Sequence, residues 1–178
     1  MVEYDYLDYA GAAQDPKQLR IMKKLCLHLA LTPGYAPLTI SRGKGTVTAK
    51  EAEDTLSLLE APRSLFGEPA GRGGIRRDEQ WALLLQGWPK DDPKNPSDPA
   101  YALKAAVEMQ LASIIHNDDR QGRTRTDRLY RLGGDIASME IGQGIVRPVS
   151  QDQGNSRLAE FFIPLLIEIQ TDKLNPSK

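Results

Sequence analysis

The sequence has few of the residues on which most catalytic and metal-binding sites depend. It contains one cysteine, Cys26, and two histidines, His28 and His116. A single cysteine excludes an intramolecular disulfide, and these three residues are too few for a closed zinc site with four ligands. Two histidines placed in this way also complete no credible Ser/His/Asp set. The sequence therefore predicts a protein that is not an enzyme and that uses no metal and no cofactor.

The chain also lacks an excess of one charge and a long apolar run. Its 23 lysine and arginine residues face 24 aspartate and glutamate residues, which gives a net charge of −1. A protein that binds duplex DNA usually carries a clear basic excess, because phosphate contacts supply most of its affinity. The longest strongly apolar stretch, residues 161–169, is too short to cross a bilayer. The first ten residues have no signal-peptide pattern, so we expect synthesis in the cytoplasm and no membrane partner.

What remains is the composition of a folded domain. The chain has 178 residues, of which 40% are hydrophobic, and this is enough to bury a core of ordinary size. We expect one domain over residues 15–171, between an N-terminal arm (1–14) and a C-terminal tail (172–178). The arm alternates tyrosines with acidic residues, which is typical of a flexible or docking segment.

Two amphipathic helices are predicted. The first begins with Asp15 as N-cap and Pro16 at the first helical position, and it ends at Thr32-Pro33-Gly34. Its apolar positions are Leu19, Met22, Cys26 and Leu29. The second helix begins at Asp98-Pro99. Its apolar positions are Leu103, Val107, Leu111 and Ile114, with Ala106 and Ile115 widening the stripe.

Strands are predicted at residues 55–59, 81–88, 136–141 (resuming at 145–146) and 158–171, with one more short strand inside the loop 33–50. Residues 81–88 are apolar on both faces, which is typical of a central strand, and Trp81 and Trp88 are expected in the core. Pro164 predicts an edge or a bulge in the last strand. The order of elements predicts an α+β fold: a single domain with a largely antiparallel sheet flanked by two helices on one face.

Several motifs could hold an anion or a metal, and each has a simpler structural interpretation. The Gly/Arg loop 71–77 could cradle a phosphate, but no helix follows to supply aligned N–H groups. The stretch SRGKGT at 41–46 fails as a phosphate loop, because Gly45 stands where Ser or Thr must hold the metal. Asp91-Asp92 and Asp118-Asp119 are paired carboxylates, and both pairs lie in stretches where aspartate favours turns. Cys26 fits a small core residue.

An arginine-rich stretch, residues 120–131, has three possible roles. Five arginines are mixed there with Asp127 and follow Asp118-Asp119. They could contact DNA phosphates, pair with acidic protein subunits, or form a solvated loop. The local charge is only modestly positive, which weakens the DNA interpretation.

Four blocks of sequence carry a resemblance to a known family. They are LSLLEAPR (56–63), DEQWALLLQGWPKDDPKNPSDPAYALKAAVE (78–108), LGGDIASMEIGQGIVRPV (132–149) and AEFFIPLLIEI (159–169). In this order and spacing the chain resembles the tail terminator, or tail-completion, proteins of long-tailed bacteriophages. The most specific string is DDPKNPSDPAY, because several prolines at fixed positions are rarely reached by chance.

The resemblance implies a structural protein of the virion that forms a ring, commonly of six subunits. The ring caps the head-proximal end of the tail tube, ends tube polymerisation and offers a docking surface to the neck. Its partners would be the tail tube protein and a neck or head-completion protein, with DNA passing through the lumen. The alternatives are a head-completion (stopper) protein of the neck and a nucleic-acid-binding accessory protein.

We expect the contacts of such a subunit in its long polar loops, 33–50, 62–77 and 117–131. The arm tyrosines Tyr4, Tyr6 and Tyr9 are weaker candidates. The candidate interface residues are Arg42, Lys44, Arg63, Arg72, Arg76, Arg77, Arg120, Arg123, Arg125 and Arg128.

Overall fold

Two helices pack on one face of a mixed sheet in the computed structural model. The structure describes residues 15–43, 53–61, 76–92, 94–115, 129–148 and 159–172. The helices are α1 (Lys17–Ala30), α2 (Asp98–Ile115) and the short turn α3 (Arg131–Gly134). The strands are β1 (Thr39–Arg42), β2 (Thr55–Glu60), β3 (Arg76–Trp88), β4 (Ser138–Ile141), β5 (Ile145–Arg147) and β6 (Glu160–Asp172).

The sheet has the order β1-β2-β3-β6-β4, and β5 also pairs with β6. Every pairing is antiparallel except that of β1 with β2. The α+β fold class, with a largely antiparallel sheet and two helices over one face, is therefore confirmed. The predicted strands at 55–59, 81–88, 136–141 and 158–171, and the short strand within 33–50, are all present with shifted ends.

The core lies between the helices and the inward faces of β3 and β6. Alternate residues of β6 point inward, so Phe161, Ile163, Leu165, Ile167 and Ile169 are fully buried. The four apolar positions predicted for α2 are fully buried as well. Burying one such side chain contributes about 1.5–3 kcal/mol. Both tryptophans are in the buried set, as the sequence predicts.

The start and the buried face of α1 differ from the prediction. Pro16 occupies the N-cap position, without a side-chain cap, and the Asp15 carboxylate instead accepts a bond from Lys23 Nζ at 2.8 Å. The buried apolar residues are Ile21, Leu25 and Leu29. Of the predicted positions, Leu29 is fully buried, and Met22 and Cys26 are partly buried against the core. The centre of the buried face is shifted by about one position, because three polar residues of α1 are also buried.

Strand β3 begins earlier than predicted. Residues 76–78 were expected in a loop, but their backbone pairs with residues 170–172 of β6. Arg76 and Arg77 therefore lie in a strand and not in the loop 62–77. The reason is tertiary: β6 extends over 13 residues and offers β3 a partner along its whole length, which overrides the charged local sequence.

Pro164 does not mark a sheet edge, because β6 lies between β3 and β4. The break in strand pairing that Pro164 requires lies instead in the neighbouring strand, between β4 and β5. Gly142, at the break between β4 and β5, donates its N–H to Pro164 O at 2.8 Å. Since β4 and β5 are interrupted at this point, the N–H that proline lacks is not needed in the ladder.

Candidate assembly interface

The outward face of α2 is largely apolar and is bordered by the ion pair of Lys104 and Glu108, whose side chains are 17% and 31% exposed. Its exposed residues are Asp98, Tyr101, Ala102, Ala105 and Met109, and Tyr101 and Met109 keep 60% and 68% of their surface exposed. Beyond Asp98, in the first turn, no exposed residue of the helix is charged. Residues 101, 105 and 109 are spaced by four and therefore form one stripe along roughly two turns. This stripe, with Ala102 beside it, is called the α2 stripe below.

Exposed apolar side chains continue on α1. Leu27 and Leu31 are 41% and 39% exposed, and they flank His28, which contacts α2. Gln110 Nε2, next to Met109 in the chain, donates to His28 O at 2.8 Å. Leu27 and Met109 are thus adjacent in the chain to two residues that join the helices.

His28 connects the two helices from inside the protein. Its side chain is buried, and Nε2 lies 2.8 Å from Gln110 O and 3.1 Å from Ser113 Oγ. A carbonyl oxygen can only accept, so Nε2 carries the proton and donates it to Gln110 O. Burial lowers the pKa of His28, although the bond to the Gln110 carbonyl partly opposes this. His28 is thus a neutral structural residue without access to a substrate.

The lowered pKa makes the stability of the protein pH-dependent. As the pH falls below about 6.5, the unfolded chain gains a proton at this histidine while the folded chain does not, so the free energy of unfolding decreases until the native pKa is reached. We expect His28→Gln to show a shallower decrease than the parent between pH 7.5 and 5.5 in urea titrations. Equal slopes in the parent and His28→Gln would contradict the assignment.

A second buried polar cluster joins α1 to the segment before β4. Arg20 Nε and Nη2 donate to the two carboxylate oxygens of Asp135 at 3.0 and 2.9 Å. Lys24 Nζ donates to Asp135 Oδ2 at 2.6 Å and to Leu132 O at 3.2 Å. Burial raises the pKa of Asp135, but the hydrogen bonds from Arg20 and Lys24 outweigh it and hold the pKa below its usual value. The carboxylate is therefore ionised and shared by two cations.

This cluster stabilises an unusual turn. Arg131, Leu132, Gly133 and Gly134 have φ values of 54°, 52°, 74° and 89°, a left-handed conformation that costs about 1–2 kcal/mol for each non-glycine residue. Leu132 is fully buried, and its carbonyl accepts the bond from Lys24. The turn brings the chain into β4 at the sheet edge. Sequence reasoning missed this cluster; the available signal was two basic residues four apart on the buried side of α1.

Three of the ten basic residues proposed as interface residues lie in the part of the chain that the structure describes. Arg42 is exposed at the end of β1. Its charge lowers the pKa of Cys26, but burial dominates and raises that pKa to about 11, so this thiol stays protonated and unreactive. Arg76 and Arg77 lie in β3. The others lie outside the described residues: Lys44, Arg63, Arg72, Arg120, Arg123, Arg125 and Arg128.

Asp92, of the acidic pair 91–92, has the predicted turn role. Asp92 Oδ1 accepts the backbone N–H groups of Lys94 and Asn95 at 2.9 and 3.3 Å, while Asp118-Asp119 lies outside the described residues. Within residues that the structure describes, no group of three or more His, Cys, Asp or Glu side chains could hold a metal ion. In the same residues, no helix is both long and apolar enough to span a membrane.

Comparison with known proteins leaves the family open. No protein-family model matches the chain, and no curated protein matches it. Inference about function therefore depends on the sequence blocks and on the surfaces of the fold.

Proposed function

We propose that the chain is a structural subunit of a protein assembly. The observation that carries this proposal is the α2 stripe; Leu27 and Leu31 add exposed apolar side chains on α1. Contiguous exposed apolar surface on a soluble protein commonly marks a site for another protein, and tyrosine and methionine are enriched at such interfaces. The buried ionisable side chains of α1, Arg20, Lys24 and His28, are used in internal contacts, which fits a structural role better than a catalytic one.

Within this class, we propose a tail terminator of a long-tailed bacteriophage. Support comes from the four sequence blocks, which lie on β2, on β3 with α2, on β4 with β5, and on β6. The most specific string, residues 91–101, forms the connection from β3 into α2 and ends at Tyr101, the first residue of the α2 stripe. A ring of such subunits, about six, would end tube polymerisation and hold the neck protein, with the lumen open to DNA.

Such a ring requires two unlike lateral surfaces on each subunit, because a head-to-tail contact repeats around a closed circle. The sheet offers two unlike edges, β1 on one side and β4 with β5 on the other. The α2 stripe lies on a helix and not on a strand edge, and we propose that it contacts a different partner, the tail tube or the neck.

Deletion of the gene from its phage tests the proposal. We expect tails of uncontrolled length that do not join heads. Normal detached tails together with heads that leak DNA would instead indicate the head-completion alternative. Steeply salt-dependent DNA binding that Arg123→Ala with Arg125→Ala reduces would indicate the nucleic-acid alternative. Normal infectious particles would contradict the assembly role.

A single charge in the α2 stripe should separate assembly from folding. Met109→Asp places a carboxylate in an apolar contact, so phage carrying it should show the deletion phenotype. The purified variant should unfold within about 0.5 kcal/mol of the parent, since the site is exposed. Lys94→Glu, an exposed substitution outside the stripe, is the control and should leave particles normal. Normal particles with Met109→Asp would remove the α2 stripe from the interface.

A further inference from the structure

We infer that neighbouring copies of this chain join through their sheet edges, with β1 of one copy pairing antiparallel with β4 of the next. The inference rests on the proposed ring and names the contact that closes it. The two strands have the same length, four residues each. Among the described strands, each pairs on one side only: β1 with β2, and β4 with β6.

The directions of the two edges agree with this pairing. β1 is parallel to β2, and each further step across the sheet, from β2 to β3 to β6 to β4, is antiparallel. β1 and β4 therefore run in opposite directions within one copy. When two copies lie side by side in the same orientation, β4 of the first meets β1 of the second as an antiparallel pair, which is the more stable arrangement.

At both edges, alternate residues direct their backbone N–H and C=O groups away from the sheet, as a new strand pairing requires. Gly43 donates its N–H to Leu58 O at 3.0 Å, toward β2. Successive residues of a strand direct their backbone groups to opposite sides, so Ile40 and Arg42 direct theirs outward. At the other edge Gly142 donates inward to Pro164 O, and by the same alternation Met139 and Ile141 point outward.

The side chains of these same four residues share one face of the sheet. Ile40 and Arg42 lie opposite Leu56 and Leu58 of β2, and Met139 and Ile141 lie opposite Ile167 and Leu165 of β6; all four partners are core residues on the helix side.

One register pairs the outward backbone groups of both strands and keeps these four side chains on the same face. It places Ile40 opposite Ile141, and Arg42 opposite Met139. Both isoleucines are only partly buried and pack at the margins of the core. The pairing would complete their burial and make the helix layer continuous from one copy to the next. Two short strands supply few hydrogen bonds, so we expect the joint to form at high local concentration, as on a tube end.

A disulfide can test this register. In a Cys26→Ala background, Ile40→Cys with Ile141→Cys should give an oxidised ladder of dimers, trimers and larger species. Opposed residues of a hydrogen-bonded pair have Cα atoms about 5.5 Å apart, which suits a disulfide. Within one copy the two positions are separated by four strand spacings, roughly 19 Å, so an intramolecular bond is excluded.

Matched controls define the outcome. Ile40→Cys with Glu140→Cys places the second thiol on the opposite face and should give at least tenfold less ladder. A mixture of the two single variants should stop at dimers, because each copy then has one reactive edge. All variants should remain folded at the assay temperature, which a cooperative thermal transition above that temperature would show. Two results would overturn the β1–β4 pairing. One is a folded Ile40→Cys/Ile141→Cys protein that forms no disulfide-linked ladder at its highest soluble concentration. The other is a ladder of equal yield from both double variants.

A pair of variants without added cysteine gives a second readout. Arg42→Pro removes an outward N–H and should weaken self-association in sedimentation experiments at least tenfold relative to Arg42→Ala, which keeps that N–H. Equal association of the two variants would also count against the joint. Deletion of the gene tests the phage role separately. If the ladder fails but the deletion gives tails of uncontrolled length, only the β1–β4 pairing is wrong. If the ladder forms but the deletion leaves particles normal, only the phage role is wrong.

Discussion

Replacement of Asp135 by asparagine is expected to lower the free energy of unfolding by about 3–5 kcal/mol, because breaking a buried ion pair leaves charge without its compensating partner. Asp135 accepts bonds from both Arg20 and Lys24 and contributes to fixing the left-handed turn before β4. Asparagine keeps the shape of the side chain but removes the charge that both cations share. Urea-induced unfolding followed by circular dichroism measures the loss.

The control is Asp15→Asn, which breaks the more exposed pair with Lys23 and should cost less than about 1 kcal/mol. The difference between the parent and Asp135→Asn should also close at low pH. The native pKa of Asp135 lies below the ordinary 3.8, so its contribution is present above that value and is lost as the pH falls through the native pKa. Similar losses for the two variants at neutral pH would contradict a structural role for the cluster.

Gly87→Ala should destabilise the fold by about 2–3 kcal/mol, the usual cost of overpacking a core. A Cβ at residue 87 would overlap the Phe161 ring atoms Cζ and Cε1 and would lie 2.9 Å from Leu56 Cδ2. Phe161 is fully buried on the adjacent strand, so its ring can shift only by displacing other close-packed core side chains.

A double-mutant cycle separates this clash from other effects. Phe161→Leu alone removes packing and should destabilise the protein, but combined with Gly87→Ala it also relieves the overlap. The double variant should therefore be more stable than the sum of the two single losses by at least about 1 kcal/mol. Strict additivity would show that the ring does not set the requirement for glycine.

The sequence predicts the centre of this fold better than its margins. The buried apolar positions of α2, Leu103, Val107, Leu111 and Ile114, are correct because apolar burial there follows the helix period without interruption. On α1 the same reasoning placed the buried face only approximately, because Arg20 and Lys24 are buried through Asp135, a residue more than 100 positions away. No local pattern contains that pairing.

The sequence was also a poor guide to the candidate interface. Charge patterns directed attention to polar loops, most of whose basic residues lie outside the described part of the chain. The α2 stripe was missed because alanine, tyrosine and methionine are compatible with either a buried or an exposed helix face. The available signal was a helix with apolar residues all round and few charges, which indicates burial against something on each side.

Imaging the neck of purified particles tests the central claim most directly. If this chain ends the tail tube, particles carrying a tagged copy should show the tag in a ring between the last tube layer and the neck. The same particles should contain the chain in a fixed ratio to the tube protein. Complete particles that lack the chain would contradict the account, whatever the isolated subunit does in solution.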